Sequence, residues 1–357
     1  MIVINYVMGI DGGGTSTVTY IADCEGNILG SGKSGPSNYQ VVGAIAALSA
    51  IEESIIKAYR AANMNISKQS IKSACFGLAG IDTGRDYEYI FPLLRDIGYL
   101  EKILLMNDSY LALAGGNAAA KGLAIISGTG SIAVGINKEG KRKRVGGWGY
   151  IFDDRGSGYD IAVSALHAIF RAFDGRGRAT EMSKLFCAFL EVENVEGIMQ
   201  KVYIENMSRK DLAGLTKLVF DSAMNGDEIA IEIIRKAGAD LAEQVLTVIY
   251  ELQMNESRIV IPLVGGVLKS KNEYLLNAIN EKLKLGINKN NIHYDKNKEY
   301  SSYLDSGISI EGENISQTAI DLIDPILQPS AGGLLLALDS IGININEKII
   351  NNLKKGE

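Results

Sequence analysis

One pattern occurs twice in this chain and constrains its fold more than any other feature: an apolar β run, a glycine-rich turn, then another apolar β run. The first copy joins Tyr6–Asp11 to Thr17–Asp23 through DGGGTST, Asp11 to Thr17, and a third run, Asn27–Ser31, follows the turn at Cys24-Glu25-Gly26. The second joins Leu123–Ser127 to Ile132–Ile136 through SGTGS, Ser127 to Ser131, with a third run near Val145. Short β-rich runs separated by turn formers predict antiparallel strands. Each half is therefore expected to open on a meander, the second repeating the first.

The remaining segments fill out two α/β layers. Ile45, Leu48, Ile51, Ile55 and Tyr59 recur at helical spacing, and Ser73–Ala79 and Lys102–Met106 read as β runs. Helices are predicted over Tyr159–Phe173, Lys210–Met224 and Glu228–Leu252, a buried strand over Arg258–Val264 ending in VGGV, and a final helix over Ala331–Ser340. With 357 residues the chain exceeds one ordinary core. An α/β protein of two lobes with a cleft between them is expected, residues 1–117 forming the first and 118–357 a larger, more helical second. The stretch 286–324, rich in Asn, Ser, Lys and Glu, reads as a surface excursion without assigned function.

Composition narrows the function. A net charge of −6 repels nucleic acid and anionic membrane over most of the surface, so neither is an expected partner and any phosphate must be held locally. Cys24, Cys75 and Cys187 lie too far apart in sequence for a Cys-x-x-Cys site and suit a reducing compartment. The N-terminus lacks a basic leader with a small-residue cleavage site, and no apolar run reaches the ~18 residues of a membrane span. A cytoplasmic protein is the expectation.

Five segments carry candidate chemistry. In DGGGTST the glycines let consecutive N–H groups face an anion, Thr15, Ser16 and Thr17 add hydroxyls, and Asp11 is placed to hold Mg²⁺ through water; a plain hairpin turn is the alternative. SGTGS repeats the device, and two such turns facing across a cleft can grip one nucleotide from both sides. Asn107-Asp108 follows a strong strand, where a carboxylate points into the crevice of an α/β layer. Phosphoryl transfer needs an aligned hydroxyl, neutralised charge and one proton acceptor, which Asp108 suits, although it could equally cap a helix. VGGWGYIFDDRGSGYDIA, Val145 to Ala162, combines glycine turns, Trp148 and adjacent carboxylates, the polar and apolar surfaces that sugars use; Trp148 could instead be core. VGGV leaves room for an adenine or ribose.

Other features read more plainly. Gly30-Ser31-Gly32-Lys33-Ser34 imitates the end of a P-loop, but Asn27 stands where the motif needs its first Gly. His167 and His293 support no zinc or nucleophilic triad, and Lys141 to Arg144 reads as a solvated hairpin.

Taken in order, DGGGTST, GLAG at 77–80, Asn107-Asp108, SGTGS, GGWG with DDRGSGYDIA, and VGGV resemble the N-acetylglucosamine kinase and BadF/BadG/BcrA/BcrD ATPase family over about 340 residues. The resemblance implies two ribonuclease-H-like lobes of the actin-like ATPase kind closing over ATP and Mg²⁺. It implies that Thr15 and Thr129 meet phosphate, with Gly13, Gly14, Gly128 and Gly130 shaping the turns and Asp11 near the metal. It puts Ala213 with Gly265 and Gly266 beside adenosine, and Asn38, Ser131, Gly147, Trp148 and Asp154 beside an N-acetylated amino sugar. Asp108 matches the base, the acceptor is the C6 hydroxyl of N-acetylglucosamine or N-acetylmuramate, and a homodimer is implied. Arg155 replaces an acidic residue beside Asp154, which suggests a substrate bearing a carboxylate. Two other readings remain at this point: an ATPase activator of a 2-hydroxyacyl-CoA dehydratase, which needs paired interface cysteines, and a sugar sensor without catalysis.

Overall fold

The computed structural model describes residues 5–65, 71–98, 100–288 and 319–357. Strands β1 (Tyr6–Gly12), β2 (Thr17–Asp23), β3 (Ile28–Ser34), β4 (Ile71–Leu78) and β5 (Ile103–Met106) form a sheet ordered β3-β2-β1-β4-β5. Strands β6 (Gly122–Ser127), β7 (Ser131–Ile136), β8 (Arg142–Gly146), β9 (Arg258–Val264) and β10 (Ala319–Ile323) form a second, ordered β8-β7-β6-β9-β10. The strand senses match as well. Each meander pairs antiparallel, and the two later strands join parallel on the other side. The repeat seen in the sequence is thus a repeat of topology.

Fourteen helices surround these sheets among the described residues. The first four are α1 (Tyr39–Val42), α2 (Ala44–Ala61), α3 (Gly84–Arg95) and α4 (Ser109–Asn117). The second half adds α5 (Gly158–Phe173), α6 (Met182–Phe189), α7 (Val195–Tyr203), α8 (Arg209–Gly214), α9 (Thr216–Met224) and α10 (Glu228–Glu251). It closes with α11 (Gly266–Lys269), α12 (Glu273–Asn288), α13 (Pro329–Ser340) and α14 (Glu347–Gly356).

The central strands are apolar along their length because both faces are covered. On one face of the first sheet, Met8, Ile10 and Phe76 bury against Ile51 and Ile55 of α2 and Leu94 of α3. Its other face is covered by α13, which arrives from the far end of the chain and packs on β1, β2 and β4. The exchange is mutual: α4, which follows β5 of the first sheet, packs on β6, β7 and β9 of the second. Leu111, Leu113, Val134, Leu334 and Leu335 form the core these two helices share. Truncating the fully buried Leu111 to Ala is therefore worth about 2–5 kcal/mol. The approach is closer than side chains allow, since a Cβ on Gly332 would stand 2.1 Å from Leu111 O, and one on Gly9 2.3 Å from Ser330 O. The outer face of the second sheet is covered by α10 and the helices around it.

Several expectations need adjusting. The helix predicted over Lys210–Met224 breaks at Leu215 into α8 and α9, where Gly214 weakens the helix and Leu215 N–H bonds back only three residues, to Leu212 O at 3.0 Å. Helices α3, α6, α7, α12 and α14 were not anticipated; α14 buries only Ile349 and Leu353, too little for a clear periodic signal. The stretch 286–324 is not all excursion: Ala319–Ile323 is β10, paired in parallel with Arg258–Pro262, while its residues 289–318 lie outside the described residues. His293 lies there too. No described helix is long and apolar enough to cross a membrane.

Candidate active site

The two glycine-rich turns meet at one cleft. A cavity of about 530 Å³ is walled on one side by Asp11, Gly13, Thr15, Asp82, Asn107 and Asp108, and on the other by Gly130, Ser131, Gly147, Asp154 and Arg209. Strand ends place each group: Asp11 closes β1, Asn107 and Asp108 follow β5, and Asp82 follows β4.

The first wall is acidic. Burial, with the nearby Asp108 charge, pushes the Asp11 carboxyl up to about 7. Burial and then Asp82 push Asp108 up to about 6, against the Ser109 and Asp108 N–H groups and Arg144. Asp108 does not serve as a helix cap. Asn107 does that work, its Oδ1 accepting from Ser109 N at 3.0 Å and Ser109 Oγ at 2.5 Å. Asn107 also donates from Nδ2 to Asp82 Oδ1 at 3.0 Å. The turn in front is open: Gly13 N–H closes on Ser16 O at 3.0 Å, and among the described residues no acceptor takes the N–H groups of Gly14, Thr15 or Ser16. Such free donors at a tight turn make an anion cradle.

The second wall carries an ion pair and is tightly braced. Asp154, 3% exposed and at φ 60°, accepts Ser131 N at 3.3 Å and pairs with Arg209 Nη2 at 2.5 Å. Burial lifts its pKa while the Ser131 N–H and Arg209 oppose the rise. Ser131 Oγ donates to Arg155 O at 2.7 Å, so its hydroxyl is engaged within the wall. The SGTGS turn is held by Gly158 N to Gly128 O at 2.8 Å and Ser127 Oγ to Gly156 O at 2.8 Å. Gly265, at φ 97°, lies so close that a Cβ there would stand 2.2 Å from Ser127 O.

Of the residues singled out from sequence, Asp11, Gly13, Thr15, Asp108, Gly130, Ser131, Gly147 and Asp154 line the cavity directly. Gly14 and the exposed Thr129 are in the turns that border it. Gly128, Gly265 and Gly266 gather behind the second turn, and Ala213 joins them, since a Cβ on Gly158 would sit 3.1 Å from both Ala213 O and Gly128 O. Asn38 caps α1, accepting Gln40 N at 3.1 Å, and its Oδ1 would be 2.7 Å from a Cβ on the cavity-lining Gly80. Trp148 is no core residue: it is 56% exposed, beneath the Arg144 guanidinium. Arg155 does not line the cavity and pairs with Asp160 at 2.9 Å; the cation of the cavity wall is Arg209.

Sequence reasoning missed Asp82, Asn107 as a cap, Arg144 and Arg209. Asp82 lies two residues beyond the GLAG motif, and Arg144 ends the basic run read as a solvated hairpin, yet only 11% of its side chain is exposed. Arg209 opens a short helix and carried no local signal.

Known proteins resemble this chain in sequence and in fold. The profile of the BadF/BadG/BcrA/BcrD ATPase family matches residues 8–302. The N-acetylmuramic acid/N-acetylglucosamine kinase of Clostridium acetobutylicum is 34% identical over 301 residues, covering 84% of this chain and 95% of that protein. The N-acetyl-D-glucosamine kinase of Dictyostelium discoideum is 32% identical, covering 74% of this chain and 86% of its own. Among solved structures, a candidate N-acetylglucosamine kinase from Chromobacterium violaceum has a TM-score of 0.65 at 21% identity, over 94% of this chain and 99% of that one, which speaks for the fold.

Proposed function

The chain belongs to the BadF/BadG/BcrA/BcrD ATPase family, and from that premise we propose that it is an ATP-dependent kinase of an N-acetylated amino sugar, N-acetylglucosamine or N-acetylmuramate, acting at the C6 hydroxyl. The observation that carries this reading is Asp108: a half-buried carboxyl at a strand end, relieved of capping by Asn107, beside one glycine-rich turn and facing the other across one cavity.

The donor set fits magnesium nucleotide. Asp11 and Asp108 are both lifted by burial and by like charge, a disfavoured state that a cation would relieve, and Mg²⁺ keeps several waters while using only one or two carboxylates beside phosphate. When bound, Mg·ATP supplies the phosphoryl group and neutralises the charge that develops on it. The N–H groups of the first turn with Thr15, and those of the second turn with Thr129, would hold its phosphate oxygens. Asp11 would hold the metal through water. Gly265, Gly266 and Ala213 leave space for adenosine.

Asn38, Gly147, Trp148 and Asp154 hold the sugar, and the Ser131 side chain acts by fixing the wall behind it. Asp108 accepts the proton of the attacking hydroxyl, a role that a pKa of about 6 suits near neutral pH. Asp82 and Asn107 keep it oriented. The three cysteines lie on separate elements, Cys24 after β2, Cys75 buried in β4 and Cys187 in α6, which gives the activator reading no cysteine pair within the chain. We place the enzyme in the cytoplasm, as a homodimer, in amino-sugar or cell-wall salvage.

The test is ADP release from Mg·ATP by the purified protein with N-acetylglucosamine, N-acetylmuramate, glucosamine, glucose or no sugar. Release dependent on an N-acetylated sugar supports the proposal and ranks the substrates. Sugar-independent release, or none, overturns it.

A further inference from the structure

Arg144 lies in the middle of β8 in the second sheet, yet its guanidinium reaches Asp82, beyond the end of β4 in the first. Nη2 stands 3.5 Å from Asp82 Oδ1, and Nη1 donates to Asp82 O at 3.4 Å. Nη2 also donates to Gly147 O, and the guanidinium carbon lies 4.4 Å from the centroid of the Trp148 ring. The side chain is only 11% exposed, and its buried Nε has no hydrogen-bond partner among the described residues. Removing a guanidinium from water while leaving one donor unused is costly, and such an ion pair is weak support for stability alone. Its position suggests another use. On one side it fixes Gly147 and Trp148 of the sugar-side turn. On the other it holds Asp82, which accepts Asn107 Nδ2, and Asn107 holds the backbone on which Asp108 stands.

We propose that Arg144 is a positioning residue for phosphoryl transfer: it couples the Gly147-Trp148 turn across the cleft, through Asp82 and Asn107, to the orientation and charge of Asp108. The inference rests on the kinase reading, with Asp108 as base. Arg144 belongs to a small charged group with Asp82, Asp86, Asp11 and Asp108 from the first lobe and Asp154 with a second cation, Arg209, from the other; the Tyr110 phenol also feels its charge. Asp82 raises Asp108 and Arg144 lowers it, so loss of the cation alone leaves the base more easily protonated. A lysine keeps the charge but lacks the planar fork that reaches Asp82 and Gly147 together.

The experiment measures kcat and kcat/KM against pH for wild type, R144K, R144Q, D82N and R144Q/D82N with Mg·ATP and the preferred amino sugar. Trp148, the one tryptophan of the chain, reports sugar binding by its fluorescence, and thermal melts report folding. R144Q is expected to lose at least ~10-fold in kcat through misorientation and to shift the acidic limb to higher pH. D82N alone should move that limb lower, and added to R144Q should bring it back. R144K should lose kcat with the limb in place. An R144Q enzyme with unchanged kcat and limb overturns the proposal, as does a limb that ignores D82N, which would leave Arg144 a structural residue. Should R144Q not fold, R144K and D82N decide by the same criteria. A wild-type enzyme that phosphorylates no amino sugar removes the kinase reading instead, and this one with it.

Discussion

The two glycine-rich turns occupy equivalent places, between β1 and β2 and between β6 and β7, but they are built differently. The first is open at Gly14, where an added Cβ would meet nothing within 4 Å, and it is backed by Asp11 and Asp108. The second is bonded to Gly156 and Gly158, pressed upon by Gly265, and backed by Asp154 with Arg209. The repeated topology supplies two glycine-rich turns, one braced and the other open. Charge is divided too, carboxylates on one wall and a carboxylate paired with a guanidinium on the other.

The largest expected effect tests that division at the acidic wall. Asp108→Asn should keep sugar binding, read by Trp148 fluorescence, and lose at least ~10²-fold in kcat; turnover within threefold of wild type would return Asp108 to a structural role. Bracing is tested next by Gly265→Ala, where positive φ and the 2.2 Å approach to Ser127 O should cost about 1–3 kcal/mol in chemical denaturation. An undiminished midpoint would show the second turn to be as loose as the first.

A third prediction uses pH. The folded Asp11 and Asp108 pKa values, about 7 and about 6, stand above their unfolded values, so the folded state holds more protons between roughly pH 4 and 7. Their favourable contribution is present at low pH and lost as pH rises through that window. Asp11→Asn should therefore stabilise the nucleotide-free protein by about 1 kcal/mol at pH 8 and less at pH 5; equal melting shifts at both would contradict the charged wall. Smallest of all is Gly14→Ala, expected within ~0.5 kcal/mol of wild type in stability while raising KM for ATP. A large stability loss there would erase the contrast between the turns.

Much of this was legible because it was periodic or repeated. The meanders, α2, α5, α10 and β9 follow from apolar spacing, and the turns of Asp11–Thr17 and Ser127–Ser131 from glycine between β runs. Asp108 was legible as a strand-end carboxylate, but its freedom from capping was not, because that depends on which of two adjacent side chains turns back to Ser109 N. Arg144 and Arg209 were illegible for a related reason. Their partners, Asp82 and Asp154, lie 62 and 55 residues away, and no local pattern records such a pairing. The break at Leu215 and the short β10 were lost to weak local signals.

The exchange of α4 and α13 sets an order on synthesis. The first sheet emerges from the ribosome early, at roughly 5–20 residues per second, yet the helix that covers its inner face is encoded at residues 329–340. Until that segment is made, Val7 and Cys75, both fully buried in the finished protein, face solvent or whatever shields a nascent chain. The second sheet has its covering helix α4 from the outset, made before its first strand. The half that is translated first is therefore the half that matures last, and truncation near residue 325 should leave a soluble second lobe tethered to an aggregation-prone first.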